Sequence, residues 1–245
     1  PCHLAAYATY LRNEGHDVVW DSEPHFLHYG DVTTGLAIVF QEAYGGEFKV
    51  IKDDFQIDIP FEKLPYPDRE FTDAKNPRWQ KYGNYRYHPA THMMVSNLCW
   101  YGKCTFCIDT YKLEHGEKRG VRSVDHVMEE IDDLIAHGYK EVFDDSGTFP
   151  VGAWLEEFHR KMQKRKNKIH IGVNMKPIKM DYKLLADSGV GFTLVGIESA
   201  NQETVNKIKK GQKSEDIIPI MKSMNDAGLK VHLTSMFGYS WETHE

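Results

Sequence analysis

Cysteine is scarce in this chain, four residues in 245, and three of the four, Cys99, Cys104 and Cys107, are bunched on one short stretch. So few thiols cannot brace a disulfide scaffold, and bridges among the bunched three would have poor geometry. The cysteines are therefore read as reduced and the chain as cytoplasmic, with Cys2 a small hydrophobe. Long apolar runs are missing as well: 41% of residues are hydrophobic, 27% are charged and the mean hydropathy is −0.54. Nothing approaches the ~20 apolar residues of a membrane span, so no membrane is expected as a partner. An excess of positive charge is also lacking. A net charge of −6 gives no general field for nucleic acid. The one basic run, 160–168, reads as a solvated helix end with cations near its C-terminal dipole. There is no signal peptide and no initiator methionine, and the chain reads as a fragment or truncated form of a natural protein. Ser-His-Asp order, a phosphate-cradling glycine loop and a dinucleotide fingerprint are absent too, which removes the commonest hydrolase and nucleotide-binding readings.

What the sequence does contain is an alternation of short β-type runs and amphipathic helical patterns from residue 92 onward, the mark of βα units and a parallel sheet. Strands are predicted at 92–98, 140–144, 168–174, 192–197 and 230–237. A helix is predicted over 124–137, with Ser123 as N-cap, Gly138 past its end and apolar residues from Val124 to Ile135 at helical spacing. Asp181 and Gly189 bracket a short helix holding Leu184 and Leu185. Ser214 and Gly228 bracket another holding Ile217, Ile218, Ile220, Met221 and Met224, which Pro219 should kink or delay. Residues 60–91, rich in proline and aromatics, read as an irregular connector. Before it, residues 4–15 form a helix pattern and 17–20 a strand, with a further apolar segment at 35–40.

Each predicted strand ends on small or polar residues, and in parallel α/β folds such ends gather on one ligand-binding rim. Cys99 follows the first strand, Asp144-Asp145-Ser146-Gly147 the second, Lys176 the third, Glu198 the fourth and Gly238 the fifth. Three thiolates on one loop can hold three irons of a cubane cluster and leave the fourth open to a small molecule. The competing reading is a zinc site with His92 or His115 as fourth ligand.

This ordered set resembles the radical S-adenosylmethionine superfamily, particularly its branch with an N-terminal cobalamin-binding domain. The likeness rests on the cysteine loop with Phe106 before its last cysteine, on Phe143-Asp-Asp-Ser-Gly-Thr-Phe149, and on Val195-Gly-Ile-Glu-Ser199 followed by Asn201-Gln202-Glu203. It rests also on Lys209-Lys-Gly211 and on the stretch from Met236 to Thr243. The commonest family loop has three residues between the first two cysteines; here there are four, Trp100 to Lys103. The segment before residue 60 is shorter than a cobalamin-binding domain and holds no Asp-x-His-x-x-Gly motif, so cobalamin is not assigned to this chain.

The resemblance implies an α/β fold, a partial (β/α)6 TIM-type barrel over residues 92–245. It would be preceded by a connector at 60–91 and a truncated, Rossmann-like remnant of a cobalamin-binding domain at 1–59. It implies a 4Fe-4S cluster on Cys99, Cys104 and Cys107, with S-adenosylmethionine on the fourth iron. Phe106 would lie on the adenine, and Asp144, Asp145, Ser146 and Gly147 near the methionine amino group, unless that run is ordinary turn chemistry. Lys176 would meet the cofactor carboxylate, Glu198 the ribose or amino acid moiety, and Gly238 the adenine. A carboxylate closing an apolar strand needs a partner, so Glu198 can equally be an ion pair with a nearby lysine. The implied function is reductive cleavage of S-adenosylmethionine to a radical acting on an unidentified small molecule or peptide, with methyl transfer or a rearrangement as outcome. A flavodoxin or ferredoxin would supply the electron. Two other readings remain: a non-catalytic iron-sulfur or zinc protein, and an RNA-modifying methylthiotransferase-like enzyme, which lacks support because no basic module is appended.

Overall fold

The computed structural model describes residues 2–15, 60–81 and 85–242. The strand expected at 17–20, the apolar segment at 35–40 and most of the remnant domain expected over 1–59 lie outside the described residues. In chain order the described elements are α1 (Cys2–Asn13), a 3-10 turn (Phe61–Lys63), α2 (Pro77–Gln80), β1 (Ala90–Met93), α3 (Ile108–Glu114), α4 (Val124–Ala136) and β2 (Glu141–Asp144). They continue with α5 (Ala153–Gln163), β3 (His170–Met175), α6 (Lys183–Asp187), β4 (Val190–Glu198), α7 (Gln202–Lys207), α8 (Ser214–Asp226) and β5 (Lys230–Ser235).

All four strand pairings are parallel, and the spatial order is the sequence order, β1-β2-β3-β4-β5. Parallel crossovers are nearly always right-handed, so a sheet wound in one direction collects its helices on one face. This is the arrangement of a partial barrel rather than of a doubly wound sheet. The helix-side core is formed by Met93, Val142, Ile171, Val173 and Val195 from the strands, packed on Val127 and Ile131 of α4, Leu155 and Phe158 of α5 and Met224 of α8. The parallel order also puts every strand's C-terminal end on one rim, as the sequence predicted.

Several local readings hold. Ser123 Oγ accepts the His126 N–H at 3.2 Å, and Gly138, Gly189 and Gly228 adopt positive φ just past their helices. The basic run closes α5, where Lys161 pairs with Asp125 and Glu157. Others need correction. Helix α8 begins at Ser214 with Pro219 inside it, so the proline does not delay it. Ile218 is 79% exposed, because Ile217, Ile220 and Met224 already define the buried stripe and position 218 falls outside it. The first strand is Ala90–Met93 rather than 92–98. Its partner β2 ends at Asp144, opposite Met93, and the next donors turn elsewhere: the Val95 N–H goes to Asp144 Oδ1 at 2.8 Å, and the Ser96 N–H to Ser146 Oγ at 2.8 Å.

The connector is tied down by charge. Arg12 of α1 pairs with Asp68 at 2.8 Å, and Thr9 Oγ1 accepts the Asp68 N–H at 2.8 Å. Deeper in, the fully buried Glu130 of α4 takes Arg69 of the connector on one oxygen and Arg122 on the other. The two guanidinium groups go on to donate to the His92 carbonyl at 2.9 Å and the Met94 carbonyl at 3.1 Å. Burial pushes the Glu130 carboxyl up, but the two arginines outweigh it and hold it below the usual carboxylate range. One carboxylate thus fastens the connector, the end of β1 and α4 together. Glu130→Ala, which strands two buried cations, is expected to cost about 3–5 kcal/mol in urea unfolding. Replacing all three members with apolar residues of similar volume should recover most of that loss.

Candidate active site

Cys99, Cys104 and Cys107 are free thiols, all partly buried, on the loop between β1 and α3. That loop is fixed at both ends. On the strand side, Ser146 Oγ accepts the Val95 and Ser96 N–H groups at 3.1 and 2.8 Å and donates to Asp144 Oδ1 at 2.8 Å, which exhausts its hydrogen-bonding capacity. On the helix side, Cys107 is the N-cap of α3. Asp109, two residues further on, reaches back to accept the Cys99 N–H at 2.7 Å. Asp109 therefore links the first and third cysteines, its carboxylate accepting the Cys99 N–H and its own N–H bonding the Cys107 sulfur. A third anchor comes from the end of α7, where the Ile208 carbonyl accepts the Thr105 N–H at 3.0 Å.

The run from Asp144 to Gly147 divides by parity. Asp144 and Ser146 are buried and build the turn just described, whereas Asp145 and Gly147 are exposed. Asp144 Oδ2 is buried without a hydrogen-bond partner, and burial lifts the carboxyl to about 7 despite the bonds from Val95 and Ser146. The Asp145 N–H donates to the Met93 carbonyl at 2.8 Å. A Cβ on Gly147 would overlap the Asp109 carboxylate and press on Cys99, so only glycine lets this backbone lie against the cysteine loop.

Lys176, just past β3, is buried and donates to the Lys210 carbonyl. Burial and the neighbouring Lys210 pull its ammonium down to about 8, while Cys104 and Cys99 work the other way. Glu198, at the end of β4, has φ +59° and pairs with Lys210 at 2.8 Å. The ion-pair reading of Glu198 is thus realised, and its partner sits in the Lys209-Lys-Gly211 motif. A Cβ on Gly196 would overlap that pair. Phe106 is 38% exposed, with Lys210 Nζ 5.9 Å from its ring centroid. Gly238, exposed at φ +88°, donates its N–H to Glu242 at 2.9 Å. The same C-terminal segment turns toward the site: Met236 N–H bonds the Glu198 carbonyl at 2.9 Å, and Glu198 and Cys104 both act on Tyr239. Burial pushes the Cys104 thiol up, against the pull of Lys210 and Lys176.

The two histidines considered as zinc ligands are engaged elsewhere. His115 stacks on Tyr111 at 3.9 Å, with Nδ1 2.7 Å from the Tyr111 carbonyl oxygen. His92 lies between the rings of Tyr85 and Phe143, at 5.1 and 5.9 Å. Among the described residues no group of three or more His, Cys, Asp or Glu converges on a single-ion site. A cubane spreads its thiolates over separate irons, a wider spacing than one ion needs.

Residues 93–245 match the family profile of the Radical SAM superfamily. The chain belongs to that superfamily. In fold it is similar to the cobalamin-dependent S-adenosylmethionine radical enzyme OxsB with aqua-cobalamin bound, at a TM-score of 0.56 and 17% identity over 72% of this chain and 26% of that one. It is similar also to the radical S-adenosylmethionine methyltransferase TsrM from Kitasatospora setae with tryptophan substrate and a cofactor analogue bound, at a TM-score of 0.53 and 21% identity over 63% of this chain and 31% of that one. The chain thus spans about a third or less of the length of these relatives. No curated protein matches it. Among the described residues no helix is long and apolar enough to cross a membrane.

The residues of this radical SAM chain fit an iron-sulfur cluster: three free thiols share one loop, a glycine backbone lies against Cys99, and two ammonium groups act on Cys104. Sequence reasoning missed Asp109, which belongs to no motif, and passed over Tyr101 and Lys210 inside motifs it had noted. Because Asp144 keeps its proton in the folded state up to about pH 7, while an unfolded carboxyl releases it near 3.8, its contribution to stability is full below pH 4 and is lost as pH rises toward 7. That loss amounts to about 4 kcal/mol. Asp144→Asn, which keeps an oxygen acceptor for the Val95 N–H, should flatten this part of the stability profile, measured by denaturant unfolding from pH 4 to 8.

Proposed function

We propose that this chain carries the cluster-binding barrel of a radical SAM enzyme that reductively cleaves S-adenosylmethionine, with residues 92–245 as the catalytic unit. The observation that carries the reading is the cysteine loop itself, three free thiols held at the strand-end rim by Asp109, by Ser146 and by the end of α7. A 4Fe-4S cluster on Cys99, Cys104 and Cys107 would supply the electron that splits the cofactor's S–C5′ bond, leaving methionine and a 5′-deoxyadenosyl radical that takes hydrogen from substrate.

The chain's own groups then have distinct tasks. Asp109 and Ser146 fix the loop. Lys176 offers a buried ammonium to the cofactor carboxylate, and Asp145 and the Gly147 backbone face the amino group, a charge-assisted contact. Phe106 gives the adenine a flat apolar face, and Gly238 leaves it room. Glu198 acts through its pair with Lys210, which places an ammonium beside Cys104. The substrate is a small molecule or peptide. The fold-level likeness to TsrM, a methyltransferase, supports methyl transfer as the outcome ahead of a rearrangement. Electron supply by a flavodoxin or ferredoxin completes the scheme. Cobalamin is left unassigned for this chain.

Anaerobic reconstitution tests the reading. The wild-type protein is expected to bind about four irons per chain and, reduced with dithionite, to form 5′-deoxyadenosine from S-adenosylmethionine. Cys104→Ala should lose both properties. Iron retained at full content by the variant, or zinc bound in its place by the wild type, would overturn the assignment.

A further inference from the structure

Three successive carbonyls at the end of α7 each receive a donor from the cysteine side of the site. Ile208 accepts from the Thr105 N–H at 3.0 Å, Lys209 from the Tyr101 hydroxyl at 2.9 Å, and Lys210 from the Lys176 ammonium. Tyr101 belongs to two of these links at once, because the Lys176 Nζ also lies over its ring, 4.0 Å from the centroid. The space for the phenol is left by Gly211, where a Cβ would overlap the Tyr101 ring and hydroxyl. Tyr101 sits in the spacer between Cys99 and Cys104, which is one residue longer than the commonest family loop. Gly102, at φ +53°, turns the chain immediately after it.

A lysine on four methylenes has much rotamer freedom to lose before it can serve as a fixed ligand. Lys176 makes no ion pair among the described residues, and a carbonyl and an aromatic face stand in place of a carboxylate. Those two partners fix the direction of the ammonium without neutralising it, so its charge stays available to an anion. A carboxylate partner would have consumed it, as Glu198 does for Lys210.

We propose that Tyr101 is a positioning residue for Lys176: its ring, pinned by the Lys209 carbonyl and seated against Gly211, holds the ammonium beside the cysteine loop, ready for the carboxylate of S-adenosylmethionine. The lengthened spacer is then the device that delivers an aromatic ring to this lysine. This inference rests on the radical SAM reading of the site.

Tyr101→Leu and Tyr101→Phe are compared with the wild type, both reconstituted and cluster-free. In the reconstituted proteins, S-adenosylmethionine is titrated against the electron paramagnetic resonance signal of the reduced cluster. Tyr101→Leu is expected to raise the half-saturation concentration about tenfold, while Tyr101→Phe, which keeps the ring, stays within about threefold. Iron content and Tm should be near wild type in both. In the cluster-free proteins, acetic anhydride labelling read by peptide mass spectrometry should modify Lys176 several-fold faster in Tyr101→Leu than in the other two, with the exposed Lys183, remote from the ring, unchanged. Equal affinity and equal Lys176 labelling in Tyr101→Leu and wild type would overturn the proposal. Equal losses in the Leu and Phe variants would overturn it too, by assigning the effect to the hydroxyl's bond to Lys209. If reconstituted wild type binds no S-adenosylmethionine, the radical SAM reading fails, and the cluster-free labelling still decides whether the ring holds Lys176.

Discussion

Asp144 closes β2 with a carboxyl that solvent does not reach, and its Oδ1 receives the Val95 N–H from the chain leaving β1. A parallel pair of strands that stops at Met93 and Asp144 leaves backbone donors with nowhere to go inside a buried rim. Asp144 and Ser146 take those donors, and in doing so they decide where the chain turns. Because the turn is fixed, Cys99 emerges against the Gly147 backbone, and Asp109 can close the loop from the other side. A cysteine loop made of exposed backbone alone would have many conformations. This one is held at its start by β2 and at its finish by its own helix.

The sheet's one-directional winding sets the remaining constraint. With helices collected on one face, the strand-end rim among the described residues is reached by α3 through Asp109 and by the loops that follow the strands and helices. The connection from α7 to α8 meets the cysteine loop with two successive carbonyls, those of Ile208 and Lys209, and Lys176 with the next, that of Lys210. The same connection brings Lys210 to Glu198 and Cys104, so a buried carboxylate, two ammonium groups and the thiols share one low-dielectric neighbourhood. Pairing Glu198 with Lys210 leaves Lys176 as the unneutralised cation there. That residual charge works against burial, which alone favours the protonated thiol of Cys104.

Much of this was legible in the sequence, for identifiable reasons. Strands and helices showed because short β-type runs and helical patterns alternate between clear stops such as Gly138, Gly189 and Gly228. The end of β1 was not legible, because 92–98 is apolar enough to extend and only the length of its partner, Asp144 being the last paired residue, cuts it short. Glu198 announced its need for a partner by its apolar surroundings, but the choice of Lys210 depended on Gly196 leaving room. Tyr101 and its acceptor on Lys209 are separated by 108 positions, and Arg69 and Glu130 by 61. No local pattern encodes such pairs, and each looked like an ordinary surface residue until the fold placed it.

The stretch 144–147 shows why a structural and a ligand-binding reading of the same motif need not compete. Burial alternates past the end of β2: Asp144 and Ser146 are buried, and Asp145 and Gly147 are exposed. The inward pair gives Asp144 Oδ1 and Ser146 Oγ to backbone donors of the β1 turn, while Asp144 Oδ2 stays buried without a hydrogen-bond partner. The outward pair is exposed at the rim: the Asp145 carboxylate acts on His92, and the Gly147 backbone lies against Asp109 and Cys99. Turn chemistry thus falls on alternate residues of the run, Asp144 and Ser146. A ligand role for this motif falls on Asp145 and Gly147, with Asp144 and Ser146 as the reason those two face where they do.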